Sequence, residues 1–224
     1  MIIGMLIFPD MTQLDFTGPH EVLAQFPGSE VKVIAATLEP VTARGGLRIV
    51  PDTTLADAPQ LDMLFVPGGP GVGALTEDRA VLEFLRRQAQ GAKYVTSVCT
   101  GALVLGAAGL LKGYRATTHW LSLDLLPVFG ATPVAERVVI DRNRVTGGGV
   151  TAGIDFALTI AGEVLGADKA KAIQLLIEYN PAPPFACGHP DTAEPAVVES
   201  LRRARAPMQA ARLEQAKRAA KQYC

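Results

Sequence analysis

The stretch Lys93-Tyr94-Val95-Thr96-Ser97-Val98-Cys99-Thr100-Gly101-Ala102-Leu103-Val104-Leu105 decides the fold. An apolar, β-prone run ends at Cys99, and a Gly/Ala/Leu run of helical character begins directly after it. The pattern predicts a strand, a sharp turn and a helix with a thiol at the turn. That is a nucleophile elbow with Cys in place of Ser. In such an elbow the helix N-terminus points at the sulfur, and its unpaired N–H groups and dipole favour thiolate over thiol. Free cysteines are also common as small core residues. The position of Cys99 at the end of a buried strand, just before Thr100-Gly101, favours the reactive reading.

The rest of the chain alternates strands with helices. Residues 1–8 read as a buried strand, 9–17 as a loop, 18–25 as a short helix and 30–36 as a second strand. Residues 41–50 read as a hairpin turning at Gly45-Gly46. Residues 61–66 form another apolar strand, ending at Pro67-Gly68-Gly69-Pro70-Gly71, and 78–89 an amphipathic helix. Past the Cys99 helix come a short strand at 115–118 and a short helix at 121–126. Residues 137–140 and 144–146 pair about Asp141-Arg142-Asn143. Residues 151–165 and 169–179 are longer helices, 180–195 is an extended segment with five prolines, and 196–223 is mostly helical. Continuous apolar central strands between helices predict an α/β sandwich on a mostly parallel sheet, helices covering both faces. No repeat or linker breaks the chain, so residues 1–224 read as a single domain.

Composition excludes several classes. Of 224 residues 49% are hydrophobic, enough for a sizeable core, and the net charge of -1 makes no electrostatic case for nucleic acid or membrane. The basic stretch 201–224 reads as a nucleic-acid footprint or, better, as a solvated amphipathic helix, because alanines fill its other positions. Residues 1–8 lack a basic leader and are too short for a signal peptide, and no segment reaches the ~20 apolar residues of a membrane span. Cys99, Cys187 and Cys224 are odd in number and widely spaced, without zinc-site spacing. A cytoplasmic protein with reduced thiols and no metal fits. Cys224 reads as terminal and exposed, and nothing around Cys187 or Cys224 suggests activation.

Ligands of such folds bind beyond the carboxyl ends of strands. There the segments around Asp15, Gly68-Gly69 and Cys99 converge if their strands are parallel neighbours. Asp15, between Leu14 and Phe16, is drawn towards burial, which raises a carboxyl pKa and suits it to carry protons. It also suits the cap of a helix opening near Gly18. The loop Gly68-Gly69-Pro70-Gly71 can present N–H groups to a developing negative charge, or it is a tight turn; it lacks the spacing and lysine of a phosphate loop. Gly147-Gly148-Gly149 is a similar close-approach segment. Thr100 can donate to substrate, cap its helix, or both. Of three histidines, His119 follows a short strand and can approach the same edge; His20 and His189 are weaker candidates. Trp120 is pocket wall or core.

Phe8-Pro9-Asp10 with Asp15-Phe16-Thr17-Gly18-Pro19, Val66-Pro67-Gly68-Gly69-Pro70-Gly71, and Ser97-Val98-Cys99-Thr100-Gly101-Ala102 followed by Ala116-Thr117-Thr118-His119-Trp120 resemble the ThiJ/PfpI superfamily. The likeness covers nearly the whole chain and is greatest to its isonitrile hydratases. The resemblance implies a flavodoxin-like three-layer sandwich, a homodimer, a small-molecule substrate and no cofactor. It implies hydration of an isonitrile to an N-substituted formamide through a covalent thioimidate on Cys99, with Asp15 as general acid and base and Thr100 beside them. Gly68, Gly69, Gly101 and His119 are then expected to bind substrate or oxyanion. Many members carry Glu where this chain has Asp15. Peptidase-like members carry His after the cysteine, and Thr100 there counts against peptidase activity. The same motifs occur in AraC-type regulators, whose DNA-binding region is longer than the segment after Pro195 here. Glyoxalase- or deglycase-type chemistry on small carbonyls and cysteine redox sensing are the other readings.

Overall fold

Continuous apolar runs form the middle of the sheet in the computed structural model, which describes residues 1–223. The elements are β1 (Ile2–Leu6), α1 (Gln13–Leu23), β2 (Glu30–Ala35), β3 (Val41–Thr42), β4 (Arg48–Ile49), β5 (Thr53–Thr54), β6 (Met63–Val66), α2 (Val72–Leu75) and α3 (Arg79–Ala89). They continue with β7 (Tyr94–Val98), α4 (Gly101–Ala107), β8 (Arg115–Ala116), a 3-10 segment (Trp120–Phe129), β9 (Thr132–Pro133), β10 (Val138–Asp141), β11 (Arg144–Gly147), α5 (Ala152–Leu165), α6 (Ala167–Leu176) and α7 (Pro195–Tyr223). Cys224 lies outside the described residues.

Seven strands form one sheet in the order β10-β11-β7-β6-β1-β2-β5. Every pairing in it is parallel except β10 with β11. Helices α1, α5 and α6 cover one face, and α2, α3, α4, the 3-10 segment and α7 the other. This is the expected three-layer sandwich. Both faces are covered, so β6 and β7 are almost wholly buried; β6 reads as an unbroken apolar run, and β7 buries Thr96 and Ser97 along with its apolar residues. Helix α4 is buried along its whole length, which explains its Gly, Ala, Leu and Val composition. Helix α3 starts where Asp78 accepts the amides of Ala80 and Val81, at 2.9 and 3.2 Å, and turns Val81, Leu82, Phe84 and Leu85 inward. The hairpin at Gly45-Gly46 forms as expected between β3 and β4, with both glycines at positive φ.

Two expectations are corrected. The first helix opens at Gln13, with Thr12 at its N-terminal boundary but without a side-chain cap, and not near Gly18. Gly18-Pro19 looks like a helix start because proline favours the first turn. Here Pro19 sits inside the helix without an amide to donate, and its ring packs against Gly153 of α5, where a Cβ would come within 2.9 Å of it. Asp15 is therefore a first-turn residue and not the cap. The basic helix α7 is not wholly solvated: Arg212, Ala216 and Ala219 are buried, and it packs on α2, α4 and the 3-10 segment.

The topology creates a crevice. From β1 the chain moves one way to β2, and from β6 the other way to β7, so the direction of winding reverses between β1 and β6. The loops leaving those two strands are tied together: the Thr12 amide donates to Gly68 O at 2.9 Å and the Gly71 amide to Asp10 O at 3.2 Å. Gly69, at φ 142°, belongs to this junction, since a Cβ there would lie 2.5 Å from Thr12 N. Among the described residues no helix is long and apolar enough to cross a membrane.

Candidate active site

Cys99 leaves β7 with φ 52°, a left-handed conformation that is unusual for a residue with a Cβ. The strand-to-helix elbow forms as expected. The Cys99 amide donates to Gly147 O and Gly148 O at 3.0 and 2.8 Å, and the Thr118 hydroxyl donates to Cys99 O at 2.7 Å. Gly147 at the end of β11 therefore helps to hold the elbow. Gly101 lets α4 start against the strand, because a Cβ there would collide with Val66 O.

Asp15 meets Cys99 from the protein side. Its side chain is 0% exposed, Oδ2 accepts the Gly68 amide at 3.0 Å, and Oδ1 is buried without an oxygen or nitrogen partner. Burial pushes this carboxyl from 3.8 up to about 6, opposed by hydrogen bonds from the Cys99 thiol and the Gly68 amide. Cys99 is pushed well above its ordinary range, first by burial and then by the Asp15 charge, while the Thr100 amide and hydroxyl pull it down. The helix-terminal pull expected at the sulfur is thus present but outweighed. Around neutral pH the pair rests as a thiol beside a largely ionised carboxylate, not as a thiolate.

The glycine loop also departs from its expected role. The Gly68 amide is already engaged by Asp15, and the Gly69 amide by Thr100 Oγ1 at 3.0 Å. Thr100 Oγ1 in turn lies 3.4 Å from Gly69 O and makes no bond that caps α4. A Cβ on Gly68 would lie 2.5 Å from Thr100 N and 2.8 Å from Asp15 Oδ2. The glycine is what lets carboxylate and elbow approach one another. Gly68 and Gly69 thus position Asp15 and Thr100, and Gly101 serves close packing.

A cavity of about 350 Å³ opens on Cys99 and Thr100, with Gly69, His119, Leu121 and Val150 among its walls. Asp15 does not line it and is reached through Cys99. His119 does line it, and burial followed by the charges of Arg212 and Arg205 lowers its pKa, so it is neutral. Its Nδ1 accepts the Leu121 amide at 3.3 Å, leaving Nε2 to carry the proton. His20 packs on Phe16, with ring centroids 5.4 Å apart, and His189 is exposed in the proline-rich segment. Cys187 is exposed, its thiol 3.4 Å from Glu194 Oε2. A larger groove of about 720 Å³ runs under the proline-rich segment past Phe185 and Arg137; Cys99 does not line it, but it shares His119 and Val150 with the Cys99 cavity.

Helix α7 supplies the wall that sequence reasoning missed: Arg205, Met208, Gln209 and Arg212. Arg212 donates to Gly69 O at 3.1 Å and Ser122 Oγ at 3.4 Å, across more than 80 residues of sequence in each case. The available signal was the spacing of Arg212, Ala216 and Ala219 on one helical face.

Residues 1–163 match the model of the DJ-1/PfpI family. The isonitrile hydratase of Pseudomonas putida is 57% identical over 218 residues, covering 97% of this chain and 96% of that one. An HTH-type transcriptional regulator of Pseudomonas aeruginosa, GbdR, is 32% identical over 186 residues, covering 80% of this chain and 50% of the regulator. Among solved structures, a ThiJ/PfpI family protein from Pseudomonas syringae superposes with a TM-score of 0.93 at 44% identity, covering 98% of this chain and 90% of that one.

The raised pKa of Asp15 has a measurable consequence. Its protonation stabilises the fold fully below pH 3.8, and that stabilisation is lost as pH rises through about 6. The difference is at most about 3 kcal/mol. Asp15→Asn removes the buried charge, so its stability relative to the unsubstituted protein should rise between pH 4 and pH 8 in urea titrations. A constant difference across that range would contradict the burial assigned to this carboxyl.

Proposed function

The chain belongs to the DJ-1/PfpI family, and we propose that residues 1–224 act as a single-domain, homodimeric isonitrile hydratase of the reducing cytoplasm. The observation that carries this reading is the likeness to the Pseudomonas putida hydratase over almost the whole of both chains. Cys99 at the cavity wall, with Asp15 buried behind it, supports it with a chemistry that suits the reaction.

The terminal carbon of R–N≡C accepts a soft nucleophile. Cys99 Sγ forms a bond to that carbon while the thiol proton passes through Asp15 to the same carbon, leaving the thioimidate R–N=CH–S–Cys99. Asp15 next takes a proton from a water whose oxygen attacks the carbon, and passes it to the substrate nitrogen. The C–S bond then breaks, the sulfur recovers the hydroxyl proton through Asp15, and R–NH–CHO departs. One water is consumed and the protein is restored. A covalent intermediate divides one hard addition into two easier steps. A carboxyl group titrating near 6 is suited to give and take protons in turn. Thr100, beside the sulfur, favours its transient negative charge. Leu121, Val150 and Met208 supply apolar surface for the R group.

The homodimer is supported by large apolar side chains left in solvent. Leu175 and Leu176 at the end of α6 are 81% and 70% exposed, and Phe185 in the proline-rich segment is 77% exposed. Sedimentation at micromolar concentration should return a mass near twice the 23.6 kDa of one chain; a single-chain mass would remove this part of the proposal.

Purified protein should convert cyclohexyl isonitrile to the formamide. Cys99→Ala should lose all turnover, and Asp15→Asn at least about 100-fold, the scale of general acid–base catalysis. Full activity in Cys99→Ala would end the hydratase mechanism. Turnover of methylglyoxal exceeding that of isonitriles would select small-carbonyl chemistry instead. Rapid peroxide oxidation of Cys99 with no turnover of any substrate would select redox sensing.

A further inference from the structure

An isonitrile group is neutral, yet the cavity over Cys99 is strongly cationic. Arg44, Arg205 and Arg212 all line it. Among the described residues no carboxylate forms an ion pair with any of the three. Arg212 is only 8% exposed. Its Nη atoms are used by Gly69 O and Ser122 Oγ, but Nε is buried without a partner. Gln209 is in a similar state: its Oε1 accepts the Ser122 hydroxyl at 3.1 Å, while Nε2 is buried and unpartnered. A buried guanidinium with one N–H unmet and no anion beside it, and a buried amide donor without an acceptor, are both unfavourable until something supplies them.

The groups facing this cluster strengthen the point. Arg205 disfavours the charge of Arg212, and both arginines disfavour that of His119. The one group near Arg212 that favours its charge is Cys99, and that thiol is neutral at rest. Asp15 lies behind the cysteine. The lining of the cavity is therefore positive, and the two unpartnered side-chain nitrogens behind it, Arg212 Nε and Gln209 Nε2, are donors. Beside them stand the apolar walls of Leu121, Val150 and Met208.

Resting on the hydratase reading, we propose that the substrate class is isonitrile carboxylates, the acid group being held by Arg205, Arg212 and Gln209 while the isonitrile carbon meets Cys99. A guanidinium paired with an amide donor matches the two oxygens of a carboxylate. The modest size of the cavity limits the spacer between the two groups to a short one. The carboxylate takes no part in bond making, so the reaction remains R–N≡C plus water giving R–NH–CHO. For an α-isocyano acid the product is an N-formyl amino acid.

The test compares isocyanoacetate with its methyl ester at pH 8, where the acid is ionised. In the unsubstituted protein kcat/KM should favour the acid by at least about tenfold. In Arg205→Gln that ratio should fall by a similar factor, chiefly through KM, and Arg205→Lys should recover part of it. An ester that matches or exceeds the acid, or a ratio unmoved in Arg205→Gln, overturns the proposal. Calorimetry with N-formylglycine and N-formylglycinamide reads the same site without turnover. A preference for the acid that weakens in Arg205→Gln supports the anion site even if no isonitrile is hydrated, in which case the hydratase reading falls alone. Equal binding of acid and amide overturns the carboxylate proposal.

Discussion

At φ 52° the backbone of Cys99 sits in a region that costs an L-residue about 1–3 kcal/mol, and the surrounding structure exists in large part to hold it there. Gly147 and Gly148 accept its amide, Thr118 binds its carbonyl, and Gly101 allows α4 to start without colliding with Val66. These contacts come from β11, from the loop after β8 and from the end of β6, so the elbow depends on the register of the sheet. Val98 pairs with Gly147, and Ser97 with both Val66 and Thr146. A slip of one residue would move the thiol to the opposite face and separate it from Asp15.

The chemistry follows from how little room the elbow leaves. Asp15 reaches the cysteine because Gly68 has no side chain, and it is buried because α1 starts early enough to carry it inside. Burial raises both acids and the carboxylate charge raises the thiol further, so the pair shares a proton instead of separating charge. A thiolate poised in advance would be the better nucleophile at rest. A thiol beside a carboxylate titrating near 6 is the better device for adding sulfur and hydrogen to the same carbon.

The sheet and the elbow were legible in the sequence because each is a local signal. Residues 94–98 form a β-prone, largely apolar run, and strand-turn-helix follows directly from it. The hairpin at Gly45-Gly46 and the pairing about Asp141-Arg142-Asn143 were legible for the same reason. The start of α1 was misread because Pro19 satisfies a rule for first turns while its actual support, Gly153 of α5, is more than 130 residues away. The glycine loop was legible as a close approach but not in its use. Whether an amide is free for substrate depends on which side chain reaches it first, here Asp15 and Thr100. Arg212 was hidden for a related reason. A basic helix reads as solvated because nothing local in it shows that Arg212 rests on the loop after β6.

The central claim is that sulfur, not water, makes the first bond to the substrate carbon. Rapid-quench mass spectrometry of the intact protein during turnover of cyclohexyl isonitrile tests it directly. The account predicts an adduct equal to the full mass of the isonitrile, located on the Cys99 peptide, appearing before formamide and absent in Cys99→Ala. Formamide released at the full rate with no adduct at any time would contradict it.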